Sequence, residues 1–193
     1  MEKRADRAGK KAFWQYHRAN GSWVLGVEGT YAERKIPYRL GALKTALAAD
    51  PNFELQIAEG EKDAETLAGF GLVATTNPGG ANQFTDDIIA WLRVLGITKV
   101  VLHEDNDEAG RKRTHKIATA LSSFAAVRVA RYTELAEGGD VTDWIEQGHS
   151  QQDLLEHIAA AEAYVPELGE WDAAATGSPW RYRGADRSAA LRV

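Results

Sequence analysis

From Phe53 to about residue 160 the chain alternates short β-rich runs with longer helix-periodic ones, and that alternation restricts the fold more than any other feature. Phe53-Glu54-Leu55-Gln56-Ile57 reads as a strand, followed by a helix with Ala64, Leu67 and Ala68 on one face. Gly69-Phe70-Gly71 ends that helix, and Leu72-Val73-Ala74-Thr75 is a second strand. The loop Asn77-Pro78-Gly79-Gly80 leads to a helix whose Ile88, Trp91, Leu92 and Leu95 share a stripe. Lys99-Val100-Val101-Leu102 is a third strand, apolar without alternation, which predicts burial on both faces. A helix over about 108–123, the strand Val127-Arg128-Val129-Ala130 and a short helix from Asp140 to Gln147 follow. Leu154, Leu155, Ile158 and Ala159 define the last helix. The expected fold class is α/β, a parallel sheet flanked by helices on both sides, without internal repeats.

Ahead of this body, residues 1–12 read as a solvated arm. Asn20-Gly21 between aromatic and β-branched runs predicts a hairpin. Lys35-Ile36-Pro37-Tyr38-Arg39-Leu40 reads as another extended stretch, and Ala42 to Ala49 as a helix. The expected organisation is a small basic β-rich lead-in subdomain over 1–50, a larger α/β domain over 51–164 and a linker-like tail over 165–193. In that tail Trp180-Arg181-Tyr182-Arg183 stands out as aromatic and basic.

Charge is distributed unevenly. The three segments carry net charges of +5, −10 and 0 within a total of −5. A basic lead-in joined to an acidic body suits a protein that holds a polyanion with one part and metal with another, although two solvated surfaces of opposite sign explain it equally well. No apolar run approaches the roughly 20 residues that span a bilayer, and no apolar stretch follows the basic amino terminus, so a cytoplasmic protein without membrane partners is expected. The absence of cysteine excludes a disulfide scaffold, a thiol nucleophile and a Cys-based zinc site.

In an open α/β sheet the working residues lie past the carboxyl ends of the strands. Those positions hold Glu59-Gly60-Glu61-Lys62-Asp63, Glu104-Asp105-Asn106-Asp107-Glu108-Ala109-Gly110 and Gly138-Gly139-Asp140-Val141-Thr142-Asp143. Three acidic clusters at equivalent strand ends repel one another unless cations neutralise them, and hard oxygen donors in this number suit Mg²⁺ or Mn²⁺. Helix capping or solvation explains any one of these acids equally well. A calcium EF-hand starting at Asp105 fails, because its fifth position is Ala109 and its twelfth Lys116. No Ser-His-Asp or Walker-type pattern is present.

The Glu59-Gly60-Glu61-Lys62-Asp63 turn, the Asp105-Asn106-Asp107-Glu108-Ala109-Gly110-Arg111-Lys112 turn and Gly139-Asp140-Val141-Thr142-Asp143 resemble the Toprim (topoisomerase–primase) superfamily. They are most like the primase domains of phage and plasmid primase–helicases. Thr75-Thr76-Asn77-Pro78-Gly79-Gly80-Ala81 is similar to the loop between those motifs. The likeness covers about residues 53–160, with a fainter trace around Trp23 and Tyr38-Arg39-Leu40. It implies Glu59, Asp105 and Asp107 as catalytic, metal-centred acids and Asp63 and Asp140 as secondary metal acids, with Mg²⁺ or Mn²⁺ as cofactor.

What the resemblance implies for activity is primase-like nucleotidyl transfer, forming short primers from nucleoside triphosphates on single-stranded DNA. A Toprim nuclease and a non-catalytic nucleic-acid-binding protein are the alternatives. A topoisomerase is not expected, since 193 residues leave no room for a strand-passage gate. Lys62, Gly79, Gly80, Arg111 and Lys112, with Arg113 beside them, are candidates for the nucleotide phosphates, against a plain turn and a solvated helix face. Lys10, Lys11, Trp14, Arg18 and Arg39 are candidates for nucleic acid, and His103 for a supporting role behind the acids. Replicative primases usually carry a zinc module ahead of this part and many phage relatives a helicase behind it. Either is therefore an expected separate partner, and the sequence reads as a fragment, a stand-alone version or a reuse of the fold.

Overall fold

The computed structural model describes residues 2–5, 11–14, 16–25, 36–77 and 86–166. Strand β1 (Glu2–Ala5) pairs antiparallel with β2 (Lys11–Trp14), a pairing that the sequence reading of this arm does not include. The β-forming Phe13-Trp14 pair gives that strand a propensity that the surrounding charge conceals. Strands β3 (Tyr16–Ala19) and β4 (Ser22–Leu25) form the expected hairpin. Asn20 and Gly21 have φ of 50° and 80°, the two positive values that a type I′ turn demands.

The body follows the expected order. Helix α1 (Leu40–Ala49) precedes β5 (Leu55–Ile57), α2 (Glu61–Gly69), β6 (Ala74–Thr75), α3 (Asp86–Val94) and β7 (Lys99–Glu104). Then come α4 (Glu108–Leu121), β8 (Ala126–Arg131), α5 (Val141–Glu146), α6 (Gln151–Ala160) and β9 (Glu162–Ala163). The sheet runs β6-β5-β7-β8-β9, parallel throughout except for β9. That antiparallel edge strand is absent from the sequence expectation, because two exposed residues present no periodicity.

Side-chain alternation along the strands divides the core between the two faces. Leu55, Ile57, Val100, Leu102 and Val127 pack against Leu43 of α1, Ile88 and Leu92 of α3, and Ile117, Ala118 and Leu121 of α4. On the other face Val101 and Ala130 meet Ala64 and Leu67 of α2, Val141 and Trp144 of α5, and Leu154 and Ile158 of α6. The central strand β7 is buried from Val100 to Glu104, as its apolar run predicts. Two expectations were too broad. The second strand is limited to Ala74–Thr75, and Leu155 of α6 is 42% exposed, so only Leu154 and Ile158 carry that helix.

Ile36 to Leu40 also departs from the expected extended stretch. Tyr38 and Arg39 form a turn, with Arg39 in the left-handed region (φ 57°) at the start of α1. The Tyr38 amide donates to the Thr76 carbonyl (2.9 Å), and Thr75 Oγ1 donates to the Tyr38 carbonyl (2.6 Å). Tyr38 Oη donates to Glu65 (2.8 Å) and the Arg39 guanidinium pairs with the same carboxylate. That contact raises the Tyr38 pKa to about 12 and lowers that of Glu65. These bonds offset the cost of a non-glycine left-handed residue, about 1–2 kcal/mol.

A polar thread crosses the α2/α5/α6 face. His103, 2% exposed, lies between Tyr132 Oη (2.6 Å from Nδ1) and Gln56 Oε1 (3.0 Å from Nε2). Because Gln56 Nε2 donates to the Glu54 carbonyl (3.3 Å), its oxygen faces the ring; His103 Nε2 donates to it and Nδ1 accepts from the phenol. His103 is therefore a neutral core residue joining β5, β7 and the end of β8, a correction to its expected place behind the acids.

Burial holds the His103 pKa down to about 3. Between about pH 3 and 6.5 the unfolded chain binds a proton that the folded chain refuses, so this residue makes stability rise with pH across that window. His103→Leu strands Gln56 and Tyr132 and is expected to cost about 1–3 kcal/mol at pH 7, a deficit that shrinks at pH 4. Chemical denaturation at the two pH values checks this; an equal deficit at both would contradict it.

Candidate functional site

The winding of the sheet reverses between β5 and β7. From β5 the chain crosses by α2 to β6 on one side, and from β6 it returns by α3 to β7 on the other. Beyond the carboxyl ends of strands at such a reversal the outgoing loops part and leave a crevice. Ile57 pairs with Leu102, so Glu59 follows β5 and Asp105 follows β7 at neighbouring places on this edge.

The two carboxyl groups meet. The Asp105 side chain hydrogen-bonds to Glu59, and burial first, then the Glu59 charge, raises its pKa to about 8; Asp63 adds to the shift and Arg113 opposes it. The second expected pair lies alongside. Asp63, in the first turn of α2, is buried and hydrogen-bonded to Asp140, and burial chiefly raises its pKa. Thr142 Oγ1 donates to Asp63 Oδ1 (2.6 Å) and stabilises its charged form.

Asp107 and Asp140 both cap helices. Asp107 Oδ1 accepts the Gly110 amide (2.6 Å) at the start of α4, and Asp140 accepts the Asp143 amide (2.8 Å) at the start of α5. Capping thus accounts for one oxygen of each. Among the described residues no three His, Asp or Glu side chains are gathered as a ready-made metal cage.

The turn bearing Asp105 and Asp107 is clamped from two sides. The Asn106 amide donates to the Gly139 carbonyl (2.9 Å), the Gly138 amide to the Asn106 carbonyl (3.0 Å), and Asn106 Nδ2 to the Leu135 carbonyl (2.7 Å). On the other side α4 packs so closely that a Cβ on Gly110 would lie 2.5 Å from the Asp105 carbonyl oxygen. Only glycine fits there. Glu59 is placed by Thr76 Oγ1, which donates to its carbonyl (2.9 Å).

The basic candidates separate by environment. Arg111 and Lys112 are exposed, and Lys112 pairs with Glu108 one turn earlier. Lys62 is exposed and 3.9 Å from Glu146. Arg113 instead points inward, a role its neighbours hide, although positions 110, 113, 114, 117, 118 and 121 form one helical stripe. Arg39 is engaged with Glu65, and Glu104, in β7, accepts from Arg131 Nε (3.1 Å). Lys11, Trp14 and Arg18 lie in β2 and β3, whereas Lys10, Gly79, Gly80 and the 167–193 tail fall outside the described residues. Asn106, Thr76 and Thr142 lie within the sequence motifs but are given no role there; their work is done by backbone, amide and hydroxyl bonds that only the assembled loops reveal.

The Asp105 pKa has a measurable consequence. From about pH 4, the ordinary carboxylate range, to about pH 8 the folded chain holds a proton that the unfolded chain has lost, so stability falls as pH rises through this window. Asp105→Asn removes that slope and is expected to melt above wild type at pH 9 in chelator, each kcal/mol appearing as about 2–4 °C. Thermal melts from pH 5 to 9 test it; a variant that melts lower at pH 9 contradicts the assignment.

No protein-family model and no curated protein matches the chain. Solved structures do. The zinc-binding and RNA polymerase domains of the Aquifex aeolicus primase are 20% identical with a TM-score of 0.59, covering 74% of this chain and 34% of that one. A DNA primase domain from Pseudomonas aeruginosa is 21% identical, TM-score 0.55, covering 82% and 50%. A DnaG primase catalytic domain bound to single-stranded DNA is 17% identical, TM-score 0.53, covering 82% and 51%. The chain thus spans a third to a half of the length of these proteins. In fold the chain is similar to DnaG-type primase catalytic cores, in keeping with the α/β architecture expected from its alternating strands and helices.

Proposed function

We propose that this domain is the catalytic part of a primase-like nucleotidyltransferase that builds short primers on single-stranded DNA with Mg²⁺ or Mn²⁺. The observation that carries the reading is the contact between Glu59 and Asp105, two carboxyl groups brought together from adjacent strands at the reversal of the sheet. Two carboxyl groups in contact at a half-buried edge repel each other, a cost that a bound cation offsets. The likeness in fold to a primase catalytic domain bound to single-stranded DNA adds the substrate class.

The donor set suits the metal. All candidate atoms are hard carboxylate oxygens, and Mg²⁺ commonly takes one or two protein carboxylates, leaving other positions to water and substrate phosphates. Glu59, Asp105 and the free oxygen of Asp107 would hold it, with Asp63 and Asp140 close by. When bound, the cation offsets triphosphate charge and lowers the pKa of the attacking 3′-hydroxyl. The protein's own contribution is placement. Asn106 and Gly110 fix the Asp105 turn, Thr76 fixes Glu59, and Thr142 holds Asp63. The bond formed joins the 3′-oxygen to the α-phosphorus of the incoming nucleotide as pyrophosphate leaves, and proximity and orientation are what a fixed edge supplies.

Around that edge, Arg111 and Lys112 in the first turns of α4 and Lys62 in α2 supply exposed positive charge for a triphosphate. The basic amino-terminal part, including Lys11 and Arg18, supplies it for the template, giving a salt-sensitive interaction. A zinc-binding module and a replicative helicase are the partners this reading invites.

The test incubates labelled nucleoside triphosphates and single-stranded DNA with Mn²⁺ and either wild type or Glu59→Gln. Short oligonucleotides from wild type, reduced about 100-fold or more in the variant, are expected. Glu59-dependent loss of the DNA instead would make the domain a nuclease. Equal behaviour of the two proteins, with DNA still bound, would leave a binding module.

A further inference from the structure

The three consecutive basic residues of α4 have unlike surroundings. Arg111 and Lys112 are exposed, while the Arg113 side chain is 11% exposed and runs beneath the end of β5. Its Nη2 donates to the Ala58 carbonyl (2.9 Å), and its Nη1 lies 4.0 Å from Glu59 Oε2. Its Nε is buried without a hydrogen-bond partner among the described residues. Three acidic groups act on it: Glu59, Asp105 and Asp63. An arginine stays protonated in such a place, because its intrinsic pKa lies far above neutrality.

A buried guanidinium with an unsatisfied N–H is a poor choice for packing alone, since an apolar side chain would fill the stripe of α4 without that penalty. We infer that Arg113 is a positioning residue, a built-in cation that holds the Glu59–Asp105 pair in place when no metal is bound and, by its fixed charge, weakens divalent-cation binding at that pair. The inference rests on the metal reading above and deepens it. Like charges separated by a few ångströms in a half-buried site repel strongly, so one internal positive charge lowers the affinity for a second. Its benefit is a preformed edge: one side chain donates to the Ala58 carbonyl and offsets the charge of Glu59.

The variants Arg113→Gln, which retains an amide donor for Ala58 but no charge, and Arg113→Lys, which retains the charge, separate electrostatics from packing. Melting in chelator and Mn²⁺ dissociation constants from calorimetry are read for both. R113Q is expected to melt below wild type in chelator yet to bind Mn²⁺ about 3- to 30-fold more tightly, with R113K within about twofold of wild type. Affinity unchanged or weaker in R113Q overturns the inference, because a purely structural role lowers stability and binding together.

If neither wild type nor R113Q binds Mn²⁺, the metal reading fails, and the metal-weakening half of this inference falls with it. The holding role is then decided in chelator by combining R113Q with Glu59→Gln. A built-in counter-charge predicts that R113Q costs clearly less stability in the Glu59→Gln background than in wild type. Additive losses overturn it. Should R113Q fail to fold alone, folding restored by Glu59→Gln supports the same coupling, and no restoration overturns it.

Discussion

Carboxyl groups crowded at the reversal between β5 and β7 are the condition around which the rest of this structure is organised. Four acids, Glu59, Asp63, Asp105 and Asp140, form two contacting pairs there, and each pair exists near neutral pH only because something offsets the charge. Burial and the Glu59 charge push the Asp105 carboxyl up while the Arg113 guanidinium opposes them; burial pushes the Asp63 carboxyl up while the Thr142 hydroxyl opposes it. Such an edge persists because the surrounding structure leaves the acids nowhere else to go.

That constraint is distributed over the fold. Parallel pairing of β5 with β7 sets Glu59 and Asp105 side by side, and burial of β7 between two helical layers keeps the strand ends from shifting. Gly110 lets α4 press against Asp105, Asn106 ties the same turn to the 135–139 loop, and Asp107 fixes the start of α4. The His103 thread pins β5, β7 and the end of β8 from below. The pairs and the thread respond oppositely to pH: the Asp105 proton favours the fold in acid, the neutral His103 disfavours acid, and their windows overlap between about pH 4 and 6.5.

The parts legible in the sequence are those with a period or a spacing. Burial of Val100 to Leu102 followed from an apolar run without alternation, the hairpin from Asn20-Gly21, and the acidic edge from equivalent positions after successive strands. The edge strand Glu162–Ala163 was not legible, since two exposed residues show no pattern, and at the other edge the strand at Ala74–Thr75 was legible but its bounds were not. Arg113 was named beside two solvated neighbours and separates from them only once the buried stripe of α4 is traced. His103 precedes the acids by two residues, yet strand alternation turns it to the α2/α5/α6 face, where Gln56 and Tyr132 meet it. Arg39, basic and early in the chain, is taken by Glu65 across 26 residues, a pairing no local pattern announces.

The central claim is that this edge is a divalent-cation site, and paramagnetic broadening by substoichiometric Mn²⁺ locates such a site directly. In a ¹⁵N-labelled sample the account predicts that backbone amides at 58–61, 104–110 and 138–143 broaden first, with those at the opposite ends of the strands, near 53–55 and 97–100, unaffected. Broadening centred elsewhere, or spread evenly over exposed carboxylates, would contradict it.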